Sequence, residues 1–161
     1  HGIAIMATRE GLEFESTIES DLAPLYKIVE RLLSQSLPIH CLRDLTRGGL
    51  ASAMIEIAKS ANRGITLFDE KIPVREDVRG ACEILGLDPI HVANEGKFAV
   101  FVPQEFAEKT LKLIQSFSLG QDARVIGKVG EGDSGMVIME NAFGGKRIVE
   151  MFSGEQLPRI C

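Results

Sequence analysis

The chain has 161 residues, 45% of them hydrophobic and 25% charged, with a formal net charge of −5. That length supports one domain with its own core, and the apolar content argues against a disordered chain. A negative balance with no basic run argues against a duplex nucleic-acid surface or an anionic membrane as partner.

From the N-terminus, the IAIMA run reads as a buried strand over Ile3–Ala7. It is too short for a signal h-region or a membrane span. Ser20 or Asp21 is placed to cap a helix over Leu22–Ser34, with Leu22, Leu25, Ile28, Val29, Leu32 and Leu33 on one stripe. Pro38 closes that unit. Ile39–Leu45 is a short strand, Thr46-Arg47-Gly48-Gly49 a turn, and Leu50–Ala61 a helix stopped by Arg63-Gly64. A strand over Ile65–Phe68, a helix over Val74–Leu85 closed by Gly86, and a strand over Phe98–Val102 follow. Pro103 opens a helix carrying Phe106, Leu111, Leu113 and Ile114. After Gly120, Val125–Val129, Met136–Met139 and Arg147–Phe152 read as consecutive strands separated by glycine-rich turns. With βαβα units first and a run of strands last, the expected fold is α+β (mixed α/β), helices packed on a mixed sheet.

Two stretches could carry chemistry. In RDLTRGGL (43–50) a strand runs into a turn with two glycines and then a helix. The free N–H groups of a helix start favour an anion such as phosphate. Asp44 at the strand end could hold Mg²⁺, which takes carboxylate and phosphate oxygens together. Ordinary capping by Thr46, with Asp44 left in solvent, explains the same residues. In HVANEGK (91–97) Asn94 and Gly96 suit a tight turn with Glu95 at its tip. That carboxylate is placed either to act as a general base or to sit solvated.

Three cysteines, Cys41, Cys82 and Cys161, form no CxxC pair, and His40-Cys41 has no ligand spacing to the other histidines. Metal binding by Cys and His is set aside on that ground, and no GxSxG elbow is present. Cys41 and Cys82 read as core thiols. The expected compartment is the cytoplasm, with thiols reduced. Cys161 carries its α-carboxylate on the same Cα, which opposes thiolate formation. It suits a handle loaded by another enzyme better than a standing nucleophile. The first residue is His1, so the chain reads as a piece of a longer protein.

Together HGIAIM (1–6), RDLTRGGLA (43–51), VRGACEILGLDP (78–89), VANEGK (92–97) and SGEQLPRIC (153–161) resemble the HypE family of hydrogenase maturation factors. More broadly the chain is similar to the C-terminal half of the PurM-type ATP-binding superfamily, to which aminoimidazole ribonucleotide synthetase and selenophosphate synthetase belong. The terminal PRIC is specific to HypE, whereas the Asp-Leu-Thr-Arg-Gly-Gly turn is shared loosely across the superfamily. The resemblance implies a three-layer helix–sheet–helix domain over residues 1–152 and a mobile tail over 153–161. The N-terminal ATP-binding domain, which supplies the homodimer interface, is absent from this chain.

The activity implied is a carbamoyl dehydratase. HypF loads a carbamoyl group on Cys161, and ATP drives its dehydration to a thiocyanate. The cyanide then passes through the HypC–HypD complex to the iron of a [NiFe]-hydrogenase. Carried over by position, Cys161 is the carrier and Glu95 the base. Thr46, Arg47, Gly48, Gly49 and Asn94 contact ATP, and Asp44 contacts Mg²⁺. The chain alone is expected to be inactive and not to bind ATP measurably. Two other readings stay open: a sister ligase or kinase of the superfamily, which has no reason to end in PRIC, and a docking module with a thiol tail, which needs neither Glu95 nor Asp44.

Overall fold

The computed structural model describes residues 1–10, 18–130 and 134–151. Its helices and strands run α1 (Gly2–Glu10), α2 (Tyr26–Ser34), β1 (Cys41–Asp44), α3 (Gly49–Ala61), β2 (Gly64–Phe68), α4 (Glu76–Leu85), β3 (Phe98–Phe101), α5 (Ala107–Gln115), β4 (Gly127–Gly130), β5 (Val137–Glu140) and β6 (Lys146–Ile148). Short 3₁₀ turns connect several of them, including Pro89–His91.

The strands form two sheets rather than one. β1 and β3 make an antiparallel pair, with Asp44 opposite Phe98 and Cys41 opposite Phe101. The other four lie in the order β4-β2-β5-β6, with β2 and β5 parallel and the outer pairs antiparallel. The larger sheet is mixed, as expected, but the expected single sheet is divided, with β1 and β3 in a separate pair. The glycine turn between β5 and β6 allows their antiparallel return, while β2 meets β4 and β5 only across long intervening segments, which permit the parallel β2–β5 pairing.

Alternation along β3 explains the layering. Successive strand side chains point to opposite faces. Phe98 and Val100 pack with Ile28 and Leu32 of α2 and Ile114 of α5, whereas Ala99 and Phe101 pack on the cluster built around α3. The β1–β3 ladder therefore lies between helices on both faces. α3 in turn receives Ile65 and Leu67 of β2 and Val137 and Met139 of β5. Contact with both sheets is why α3 is buried over nearly its whole first half and uses Ala51, Ala53 and Ala58 where the backbones come close.

Three expectations need correction. Residues 3–7 are helical, not a strand. A five-residue apolar run cannot be assigned by periodicity, and here the segment sets Ile3 against Ala81, Cys82 and Val92 in a cluster beside α4. The helix expected from Leu22 starts at Tyr26, because Pro24 disfavours helical geometry at Ala23. Asp21 is consequently no cap. The last strand stops at Ile148 instead of reaching Phe152, though Val149 N–H still bonds Val137 O at 2.8 Å. The tail expected over 153–161, with Cys161, lies outside the described residues.

Candidate active site

β1 and β3 bring together two turns that are fifty residues apart in sequence. The end of β1 carries Arg43 and Asp44, and the turn before β3 carries Asn94 to Lys97. Leu45 N–H bonds Lys97 O at 3.2 Å and Asn94 N–H bonds Leu45 O at 3.1 Å, so the two turns are laced backbone to backbone. Between them lies a cavity of about 300 Å³. Arg43, Asp44, Thr46, Glu95 and Lys97 supply its polar lining, and Val29 of α2 and Phe98 of β3 part of its apolar lining.

Asp44 is exposed, and its Oδ1 accepts from Thr46 Oγ1 at 3.1 Å and from Arg43 Nη1 at 3.2 Å. Arg43 also donates from Nη2 to Glu56 Oε2 of α3 at 2.8 Å. Thr46 thus spends its hydroxyl on Asp44 and does not cap α3, whose N-cap is Gly48. Glu95 is half-buried, and its Oε1 is buried without a hydrogen-bond partner among the described residues. Leaving a buried acceptor unmade costs roughly 1–3 kcal/mol, so such an atom calls for an explanation. Lys97 Nζ donates to Asn94 Oδ1 at 2.8 Å. Asn94 Nδ2 donates to Val92 O at 2.9 Å, which makes Asn94 the brace of its own turn.

The expected residues divide accordingly. Asp44, Thr46 and Glu95 share the cavity, while Arg47, Gly48, Gly49 and Asn94 do not line it. Gly49 has φ +60°, and a Cβ there would lie 2.5 Å from Val92 O and 2.6 Å from Ile90 O. The start of α3 is glycine because the 89–92 segment presses on it, a packing reason that needs no phosphate. Lys97, Arg43 and Asp21 were not singled out by sequence reasoning. Lys97 and Arg43 left a trace only as the last letter of NEGK and the first of RDLTRGGL, and Asp21 only as a candidate helix cap.

A Mg²⁺ ion bound with phosphates uses one or two carboxylates. Asp44 fits that role as one exposed carboxylate whose hydrogen bonds fall on a single oxygen. No group of three or more metal-ligating side chains exists among the described residues. Cys82 is fully buried, and burial pushes its thiol up from 9.0 to about 11, with Asp88 adding to the rise. It is a packing residue, as expected of it. Among the described residues, no helix is long and apolar enough to cross a membrane.

The model of the AIR synthase related protein C-terminal domain matches residues 1–140. Carbamoyl dehydratase HypE of Azotobacter vinelandii is 48% identical over 161 residues, covering 100% of this chain and 47% of that protein. A crystal structure of the hydrogenase maturation protein HypE in complex with ATP superposes with a TM-score of 0.92 at 42% identity, over 100% of this chain and 49% of that one. A HypE–HypF complex does so at 0.90 and 43% identity, over 94% and 49%. The chain spans about half the length of the relatives it matches. It belongs to the family of AIR synthase related protein C-terminal domains, and within that family it is similar to the C-terminal half of the carbamoyl dehydratase HypE.

Proposed function

We propose that this chain is the C-terminal part of an ATP-dependent carbamoyl dehydratase that converts a carbamoyl group on Cys161 to a thiocyanate. The observation that carries the reading is Glu95. Among the described residues its carboxylate holds a buried oxygen with no partner, beside a cavity that Asp44 and Thr46 also line. An unpaired carboxylate oxygen held in place is what a proton acceptor needs before its substrate arrives.

Loss of water from a thiocarbamate removes the carbonyl oxygen and both amide protons. ATP, bound mainly by the half of the protein outside this chain, supplies the phosphoryl group that makes that oxygen a leaving group. In this scheme Glu95 takes one amide proton, the oxygen departs as phosphate, and the second proton goes to that phosphate or to solvent. Asp44 offers a carboxylate oxygen to Mg²⁺, and Thr46 holds Asp44 in orientation through its 3.1 Å bond. Phe98 and Val29 keep part of the cavity apolar, which strengthens charge interactions inside it. The HypE–HypF complex and the ATP-bound HypE support HypF as carbamoyl donor and ATP as co-substrate. HypC–HypD as cyanide acceptor, a homodimer through the missing half, and a cytoplasmic location complete the proposal, as do the domain limits 1–152 and 153–161.

Mass spectrometry of the full-length protein tests it. Cys161→Ala is expected to abolish both carbamoyl and cyano adducts while ATP binding persists. A cyano adduct formed elsewhere on that variant overturns the assignment of the carrier.

A further inference from the structure

A three-residue turn has too few bonds of its own to hold a side chain in one place, so its aim is set by what it rests on. Glu95, Gly96 and Lys97 all rest on one residue, Asp21, which lies in a non-helical segment 74 positions before Glu95. Asp21 Oδ1 accepts the Glu95 backbone N–H at 3.1 Å. Its Oδ2 faces Lys97 Nζ at 3.5 Å, an ion-pair distance rather than a well-formed hydrogen bond. Its carbonyl oxygen lies where a Cβ on Gly96 would come within 1.8 Å, so only glycine lets the turn lie this close.

We propose that Asp21 is the positioning residue of this site, its carboxylate and carbonyl fixing the turn that aims Glu95 and Lys97 into the cavity. The inference rests on the proposed role of Glu95 as base. Asp21 is 23% exposed. Its Oδ1 also lies 2.7 Å from the His1 backbone nitrogen, so the same carboxylate ties the start of α1 to the turn.

The test uses the full-length protein with Asp21→Ala and Asp21→Asn, each alone and combined with Glu95→Gln. Dehydration is followed by the cyano adduct, and the tether by hydrogen exchange of the Glu95 amide. Asp21→Ala is expected to slow dehydration by about 10–10²-fold, the scale of a misplaced reacting group. The KM for ATP stays unchanged, the Glu95 amide exchanges faster, and nothing is added to the loss in Glu95→Gln. Asp21→Asn keeps the amide acceptor and loses less on both readouts; it carries the test if Asp21→Ala does not fold. Unchanged Glu95 exchange, or a loss that multiplies with that of Glu95→Gln, overturns the proposal. If Glu95→Gln itself dehydrates normally, the base assignment falls, and the exchange arm alone decides the tether: faster exchange upholds it and unchanged exchange overturns it.

Discussion

The two sheets lie against different partners and use their residues differently. The β4-β2-β5-β6 sheet turns Ile65, Leu67, Val137 and Met139 onto α3 and places its charged Lys128, Lys146 and Arg147 outside the core. Among the described residues the β1–β3 ladder has two strands, and its end gathers Arg43, Asp44, Thr46, Glu95 and Lys97 around one cavity. The first arrangement accumulates apolar burial. The second leaves a buried carboxylate oxygen without a partner among the described residues. If the proposed site is right, substitutions on the α3-facing side of the four-stranded sheet should alter stability more than activity, and those around the cavity the reverse.

The largest expected effect is on the chemical side. Glu95→Gln keeps the side-chain shape but cannot take a proton, and loss of a general base typically costs about 10²–10⁴-fold. In the full-length protein the cyano adduct should fall by that factor, with carbamoyl loading and melting temperature unchanged. A matching drop in melting temperature breaks the comparison.

The converse substitution is Leu67→Ala in the four-stranded sheet. Leu67 is 1% exposed, and truncation of a buried leucine costs about 2–5 kcal/mol. Denaturant unfolding should show this cost, while the dehydration rate at low temperature stays near that of the parent.

Gly49→Ala addresses the junction between the sheets. The positive φ and the close Val92 and Ile90 carbonyls predict destabilisation by more than about 1 kcal/mol. If the residue serves packing alone, the KM for ATP stays constant; a rise in KM with unchanged stability assigns the turn to phosphate instead. Smallest of all is Arg147→Ala, which removes the 2.6 Å bridge from β6 to Asp88. A half-exposed pair of this kind contributes about 0–1 kcal/mol, and the loss should fade in high salt as the parent's own bridge is screened.

Much of this organisation was legible in the residues. α3, β2, α4 and β3 lie within a few residues of their expected limits, because Gly64, Gly86 and Pro103 punctuate them and the segments between have clear periodicity. Helix–strand confusion arose only at residues 3–7, where one apolar run serves either geometry and the neighbouring cluster of Ala81, Cys82 and Val92 decides.

For the site, the chain order alone marked Asp44, Thr46 and Glu95, since turns at strand ends announce themselves through glycine, asparagine and charge. That these three share one cavity is a tertiary fact, created by the antiparallel pairing of β1 with β3. The division of the strands between two sheets is tertiary as well, since a strand's pattern states which face is apolar but not which strand it will join. Asp21 is the clearest case. In sequence it is a helix cap before Leu22, whereas in the fold Pro24 delays the helix and frees the carboxylate to meet a turn 74 residues away. Local propensity is written in adjacent residues, but the partner of a charged group is chosen by whatever the packed chain brings within about 3 Å of it.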